Sequence, residues 1–158
     1  SGMFYAQRAL FPASAHIEWP GVAPRNSWAQ AFLWARFNTP TDAVFALDPQ
    51  FMRLEGEDNI GFRGLAQRSR LADDDKDNGV VSMFPRLADE WQRQIDALKG
   101  WNNFGRDDFA RLKEKFGVSW VIVQQQQPAV LQMNLQQSAK VALDCPHQNG
   151  AVRVCRIP

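Results

Sequence analysis

The amino-acid sequence predicts an α/β fold in which helices cover both faces of a mixed, mostly parallel sheet that ends in an antiparallel hairpin. Two amphipathic segments, residues 26–38 and 107–116, are each followed by a short apolar segment that is typical of a buried strand. Near the C-terminus, Asn149 and Gly150 separate two more short apolar segments, which indicates a hairpin turn. We therefore predict a single three-layer domain over residues 26–158.

Length and charge narrow the classes of protein to which the chain can belong. Its 158 residues include 18 basic and 17 acidic side chains, and the net charge of +1 argues against a nucleic-acid-binding protein with a broad cationic face. The longest apolar runs, residues 31–35 and 43–47, have five residues each, whereas a membrane-spanning helix needs about 20. A chain of this length buries a sufficient core without a structural metal.

The first 25 residues are expected to lie outside the regular fold. Ser1 and Gly2 resemble a cloning remnant, since no basic and apolar signal sequence follows them. Residues 3–25 combine four aromatic side chains with three prolines and show no helical or strand period, so we predict an irregular arm. The arm has two interpretations: a strap across the core, or an aromatic belt beside a membrane helix.

In the first half of the chain, capping and breaking residues determine the expected element boundaries. Asn26 is a favourable N-cap for the first helix, and Pro40 ends that helix because proline disfavours helical backbone in the preceding residue. Residues 43–47 then predict a buried strand. The later elements expected in this half are a short helical segment, a short strand and a solvated acidic loop, at residues 62–67, 69–72 and 73–77.

Two longer helices are expected in the second half. Apolar residues at helical spacing predict a helix over 85–99, which Gly100 ends. The next helix begins near Asp107, where acidic side chains match the helix dipole, and Gly117 is its C-cap. A strand at residues 118–123 follows directly.

The C-terminal part is predicted to contain a biased loop and a hairpin. Residues 124–138 are rich in glutamine and lack a clear period, so we expect a loop that the core does not require. The two hairpin strands are expected at residues 141–143 and 151–154.

The cysteines flank the predicted turn, and the loop length decides whether they face each other. A two-residue loop opposes Cys145 to Val154. A three-residue loop centred on Gly150 opposes Cys145 to Cys155, with Gly150 as a left-handed residue at low conformational cost. We predict a disulfide, which points to an oxidising compartment; the alternative is a pair of reduced, buried thiols in a cytosolic protein.

Metal binding has two candidate sequences, and neither has a familiar spacing. His16 and His147 with the two cysteines supply zinc-type ligands, but their spacing fits no known finger. Residues 73–79 are rich in aspartate, yet aligning Gly79 with the glycine of an EF-hand loop puts Pro85 where the glutamate ligand belongs. We predict no metal and no cofactor, with calcium in a looser geometry at the acidic segment as the open alternative.

The carboxyl ends of the predicted strands contain the candidate ligand-binding residues. The common signatures of nucleotide binding, acyl transfer and zinc proteolysis do not occur, and no catalytic residue is assigned. Ligands of open α/β sheets gather where strands end. The charged residues at or near those ends are Asp48, Arg63, Arg68, Asp73, Lys76 and Asp77. They favour a polar or anionic ligand; the alternative is that they pair with one another.

Several strings in the chain resemble one group of proteins. They lie at residues 16–21 (HIEWPG), 26–34 (NSWAQAFLW), 38–49 (NTPTDAVFALDP), 61–63 (GFR), 67–69 (QRS), 71–73 (LAD), 76–77 (KD) and 116–118 (FGV). Together they resemble the extracytoplasmic C-terminal domain of bacterial multi-pass inner-membrane proteins with glycosyltransferase-C-like architecture. The resemblance covers most of residues 16–156, and the glutamine-rich segment is an insertion relative to it.

The resemblance implies a domain at the periplasmic face of the bacterial inner membrane, held there by the transmembrane part of the same polypeptide. It also implies that the catalytic carboxylate of the parent protein lies elsewhere, so that this domain assists a lipid-linked sugar transferase. The expected partners are the membrane part and a sugar or polyprenyl-phosphate head group, with no nucleic acid. Two other functions stay open: a carbohydrate- or anion-binding module with stacking tryptophans, and a small α/β enzyme that uses Asp48, Asp73 and Lys76.

Overall fold

The computed structural model describes residues 26–53, 61–125 and 143–158. The predicted cloning remnant, the arm at 3–25 and most of the glutamine-rich segment lie outside these residues. The strands are β1 (Val44–Leu47), β2 (Ser69–Arg70), β3 (Trp120–Gln124), β4 (Asp144–Gln148) and β5 (Val152–Arg156). The helices are α1 (Ser27–Asn38), α2 (Phe62–Ala66), α3 (Asp77–Met83), α4 (Ala88–Ala97) and α5 (Arg106–Phe116).

The strands form an open mixed sheet in the order β2-β1-β3-β5-β4. Strand β1 pairs in parallel with both β2 and β3, whereas β5 pairs antiparallel with β3 and with β4. The predicted fold class, a mixed sheet with helices and a C-terminal antiparallel hairpin, is confirmed.

The alternation of side chains along the strands creates an apolar core on each face of the sheet. Phe45 and Leu47 of β1 pack with Trp120 and Ile122 of β3 against α1 and α2. On the other face, Ala46, Val121 and Val123 pack against Phe109 and Leu112 of α5. Helices therefore cover both faces, and the three-layer arrangement follows.

Helix α1 begins and ends at the predicted signals. The side-chain oxygen of Asn26 accepts hydrogen bonds from the backbone N–H groups of Trp28 and Ala29, at 2.8 and 3.0 Å. At the other end, the Thr39 hydroxyl donates to the Ala35 carbonyl, and Pro40 follows. Both ends of the helix thus satisfy backbone groups that would otherwise lack a partner.

Several element boundaries differ from the prediction. Strand β2 has two residues, because the chain bends at Leu71, whose backbone N–H still donates to the Phe45 carbonyl. The helix predicted over 85–99 begins as a 3-10 turn (Pro85–Leu87) and continues as α4. Gln124 is the last residue of β3 and is opposite Val152, so the glutamine-rich segment begins inside a strand.

Helix α3 is absent from the sequence prediction, which placed a solvated loop at residues 73–77. One carboxylate oxygen of Asp73 accepts hydrogen bonds from the backbone N–H groups of Asp75 and Lys76, at 3.0 and 3.1 Å. The Asp73 carbonyl then accepts from the N–H of Asp77, the first residue of α3. The acidic segment therefore forms a capped turn that starts a helix.

Next to the turn, the hairpin has a register that differs from both predicted alternatives. The pairs next to the turn are His147 with Val154 and Gln148 with Arg153, so the loop consists of Gly150 and Ala151, and Gly150 does not have positive φ. The oxygen of the Asn149 side chain accepts from the backbone N–H groups of Ala151 and Val152, which stabilises this turn.

A register shift within the hairpin explains why the predicted disulfide nevertheless forms. Beyond the shift Asp144 is opposite Arg156, and continuing this register by one residue opposes Cys145 to Cys155. The two cysteines are joined, and Cys155 is fully buried. Strand β4 lies after the predicted 141–143, of which only Leu143 is described. Its sequence looked unlike a strand because it is a half-exposed edge strand containing Pro146.

Candidate functional site

A buried ion pair lies where strand β2 ends. Arg70 Nη1 is 2.9 Å from an Asp73 carboxylate oxygen, and the two side chains are 1% and 3% exposed. The Arg70 guanidinium also lies 5.4 Å from the ring centre of Phe51. Burial lowers the pKa of Arg70 to about 10, and the charge of Asp73 opposes that shift. The guanidinium is therefore protonated at neutral pH and holds Asp73 in place.

A second ion pair, between Arg63 and Asp77, lies beside the first and is hydrogen-bonded to it. The two carboxylate oxygens of Asp77 are 2.5 and 3.0 Å from the Arg63 guanidinium, which also donates to the Arg70 carbonyl. One Asp77 oxygen accepts from the Asp73 N–H at 2.9 Å. Burial raises the pKa of Asp77, but the hydrogen bonds from Arg63 and Asp73 outweigh this effect, so the pKa lies below its ordinary value. These contacts join α2 and α3 to the end of β2.

A third group of contacts joins the loop after β1 to the acidic segment. Arg53 donates from Nε to Asp75 at 2.8 Å and lies 3.3 Å from Asp74. The Gln50 side-chain amide donates to Asp74 at 3.3 Å. The carboxylates of the acidic segment are therefore bound by arginine and amide groups, which argues against the calcium alternative.

Asp48 lies apart from these pairs, directly after β1. Its side chain is almost completely buried, with 6% of the residue surface exposed. One carboxylate oxygen accepts from the Gln50 N–H at 2.9 Å, and the other has no hydrogen-bond partner among the described residues. Burial raises the pKa of Asp48, against the opposing effects of the Gln50 hydrogen bond and the Arg70 charge.

Asp48 lines a cleft of about 320 Å³ at the carboxyl end of β1. One wall is the loop after β1 together with Asp74, and the other wall is the segment that follows α4. The lining residues are Asp48, Pro49, Gln50, Asp74, Ile95, Leu98, Lys99, Gly100, Trp101, Asn102 and Asn103. The left-handed backbone of Gly100, with φ of 76°, turns the chain so that the 3-10 helix Trp101–Asn103 faces β1.

The structure brings together three of the six predicted site residues: Asp73, Asp77 and Arg63 form the paired cluster with Arg70. Asp48 lies apart from this cluster and lines the neighbouring cleft. Lys76 is exposed, and only its backbone N–H contributes, so its predicted side-chain role is not supported.

Arg68, which was also predicted to join the site, lies apart from the paired cluster. Its guanidinium donates to the carbonyls of Arg36 and Thr39, at 2.6 and 2.7 Å, and to the Thr39 hydroxyl at 3.2 Å. These carbonyls belong to the last turn of α1 and the residue after it, whose acceptors lack partners within the helix. Arg68 therefore caps a helix and does not face the strand ends.

Sequence reasoning missed Arg70 and the wall formed by residues 98–103. The signal for Arg70 was present: an arginine inside a predicted strand needs an anionic partner if that strand is buried, and Asp73 follows three residues later. The wall carried no such signal, because its position depends on how the end of α4 packs against the sheet.

The described residues contain no set of three or more His, Cys, Asp or Glu side chains placed to hold a metal ion. Cys145 and Cys155 are bonded to each other and so are not available as thiolate ligands. His147 stacks on Trp34 with ring centres 5.4 Å apart, and burial lowers its pKa. The imidazole therefore packs against Trp34 of α1, where burial disfavours its charged form.

Fold and disulfide together define the class of protein: an open α/β domain of an oxidising, non-cytoplasmic compartment. No protein-family model matches the chain, and no curated protein is significantly similar to it. Across residues 26–53, 61–125 and 143–158, none of the helices combines the length and the apolar character required to cross a membrane.

Replacing Asp48 with asparagine is expected to raise the free energy of unfolding at pH 7. The folded-state pKa of Asp48 lies above the unfolded value of 3.8, so the ionised carboxylate disfavours folding at all higher pH values. As the pH falls through the folded-state pKa, wild-type Asp48 takes up a proton and the advantage of Asp48→Asn shrinks.

Urea unfolding at pH 7 and at pH 4 measures this effect, with Asp42→Asn as the control because Asp42 is exposed and lies before β1. A destabilised Asp48→Asn at pH 7, with Asp42→Asn unchanged, would contradict the prediction.

Proposed function

We propose that this chain is a non-catalytic accessory domain of a polytopic bacterial membrane protein, located at the periplasmic face of the inner membrane. The observation that carries the proposal is the Cys145–Cys155 disulfide, since such bonds persist in the periplasm and are rare in the cytosol. The motif strings at residues 38–49, 61–63 and 71–73 provide the further resemblance to glycosyltransferase-C-like proteins, and assistance to a lipid-linked sugar transferase follows from it.

The pairing of the strand-end charges supports a non-catalytic role. A reacting atom needs two groups that converge on it from a distance of about 3 Å. Asp73 is bound to Arg70, and Asp77 is bound to Arg63. The alternative of a small enzyme requires Asp48, Asp73 and Lys76 to act together. The Asp73 carboxylate is bound by Arg70, and Lys76 is exposed.

The charge balance supports a domain that is held at the membrane by covalent connection. Electrostatic attraction to anionic lipid needs clusters of basic residues, and the net charge is +1. The proposed partners are accordingly the transmembrane part of the same polypeptide and the sugar or polyprenyl-phosphate head group that it handles.

Cysteine labelling in cells tests the location. Arg93 is a suitable position, because its side chain is 70% exposed and lies on α4, away from the cleft. The variant Arg93→Cys is made in the full-length gene product together with Cys145→Ala and Cys155→Ala, and cells with a permeabilised outer membrane are treated with a membrane-impermeant maleimide. We expect labelling before lysis.

Labelling only after lysis would overturn the location. The nucleotide sequence upstream is an independent test, since a polytopic parent requires a series of apolar segments of about 20 residues in the same reading frame. A reading frame that encodes the domain without such segments would overturn the membrane-protein assignment.

A further inference from the structure

The cleft beside Asp48 lies where open α/β sheets bind their ligands. Strand β1 has parallel neighbours on both sides: the chain continues from β1 to β2 on one side, and then from β2 to β3 on the other side, so the order of the strands reverses at β1. The crevice at such a point is the usual ligand site of this fold class. Its volume of about 320 Å³ lies at the lower end of the range for small-molecule sites.

Asp48 supplies the cleft with a carboxylate oxygen that has no hydrogen-bond partner among the described residues and is open to a ligand. Only 6% of the residue is exposed, and one carboxylate oxygen accepts from the Gln50 N–H. The second oxygen is not one of the fully buried side-chain atoms that lack a partner, so it is accessible from the cleft that Asp48 lines, and a ligand hydroxyl can donate to it there.

The other residues that line the cleft can form hydrogen bonds with the hydroxyl groups of a ligand. Side chains with planar amides, Gln50, Asn102 and Asn103, combine with apolar surface from Leu98 and Ile95. An amide both donates and accepts hydrogen bonds, as does a hydroxyl, whereas a carboxylate only accepts. A ring that presents hydroxyls at its edge and carbon atoms on its face matches this mixture.

The charges around the cleft disfavour ionic ligands. Asp48 and Asp74 repel an anion such as phosphate. Within the described part of the chain, a simple cation meets only one carboxylate without an ion-pair partner, Asp48, whose charge is partly balanced by Arg70, because Asp74 lies 3.3 Å from Arg53. A neutral ligand avoids both penalties.

We propose that this cleft binds a neutral, hydroxyl-rich ligand of sugar type, with the Asp48 carboxylate accepting hydrogen bonds from its hydroxyl groups. The origin of that sugar in the cell rests on the proposed accessory function. Sugar binding by the purified chain can be measured whatever the location of the chain in the cell. The labelling of Arg93→Cys tests the location only, so a failure of the accessory function and a failure of sugar binding can be distinguished.

Two-dimensional NMR of the purified 158-residue chain tests the cleft. The probes are methyl glycosides of hexoses and pentoses and N-acetylglucosamine, with inorganic phosphate and ethylamine as charged comparisons. We expect saturable shifts of the Gly100, Asn102 and Asn103 amide signals and of the Trp101 indole N–H with at least one sugar. Asp48→Asn should bind that sugar about tenfold more weakly, as expected for the loss of a charge-assisted hydrogen bond. Asp42→Asn should bind it like the wild type.

Asp48→Asn keeps an oxygen for the Gln50 N–H and turns its amide donor toward the cleft, so the variant changes the ligand acceptor while the fold is retained. Unchanged chemical shifts of the cleft signals with every sugar would overturn the proposal. Equal binding by Asp48→Asn, or shifts confined to residues outside the cleft, would do the same. Tighter binding of phosphate or ethylamine than of any sugar would overturn the neutral ligand class.

Discussion

Replacing Arg70 with methionine is expected to lower the free energy of unfolding by about 3–5 kcal/mol, the range for breaking a buried ion pair. Methionine fills much of the same volume, so the loss comes mainly from charge. Without Arg70, the Asp73 carboxylate remains buried with no cationic partner, and Asp48 loses the positive charge that favours its ionised form. Urea unfolding at pH 7 measures the change.

The matched control is Arg93→Met. Arg93 also pairs with an acidic residue three positions away, Glu90, but the two side chains are 70% and 48% exposed, so a change within about 1 kcal/mol is expected. Combining Arg70→Met with Asp73→Asn should recover part of the lost stability, because the unpaired buried charge is removed while one oxygen still caps the turn before α3. Similar losses for Arg70→Met and Arg93→Met would refute this account of the cluster.

Removing the disulfide through Cys145→Ala and Cys155→Ala together should lower the free energy of unfolding by about 2–3 kcal/mol, from the larger chain entropy of the unfolded state. The bond closes a loop with a sequence separation of 10 residues. It also ties edge strand β4 to β5, whose buried residues belong to both cores.

Chemical denaturation with and without dithiothreitol separates the bond from the side chains. Reductant should lower the unfolding midpoint of the wild type toward that of the double variant and leave the double variant unchanged. Equal midpoints for oxidised wild type and double variant would show that the bond contributes nothing to stability, and two free thiols in the purified wild type would contradict its existence.

Local chemistry explains which elements were predictable. Asn26 and Pro40 bound α1 through capping and backbone restriction, and Gly117 ends α5 with a left-handed φ of 68°. These signals act within a few residues, so they are readable from the sequence. The apolar segment of β3 is buried on both faces, which gives a continuous run that a central strand requires.

Elements whose form depends on distant contacts were not predictable in the same way. Strand β4 is polar because it lies at the sheet edge, and the register shift between Asp144 and His147 is defined only by its pairing with β5. The residues of the candidate site show the same difference between local and distant signals. Placement after strands identified Asp48 and Asp73, but the choice between pairing and ligand binding depends on Arg70 and on the wall at 98–103, which come together only in the folded chain.

The two edges of the sheet bear on how the domain behaves when many copies are crowded together. An exposed edge strand offers unpaired N–H and C=O groups to which another chain can add. Here β2 has only two residues, and β4 contains Pro146 and a register shift beside its cross-link to β5. Neither edge presents a long, regular row of backbone groups, so the described part of the fold resists edge-to-edge aggregation.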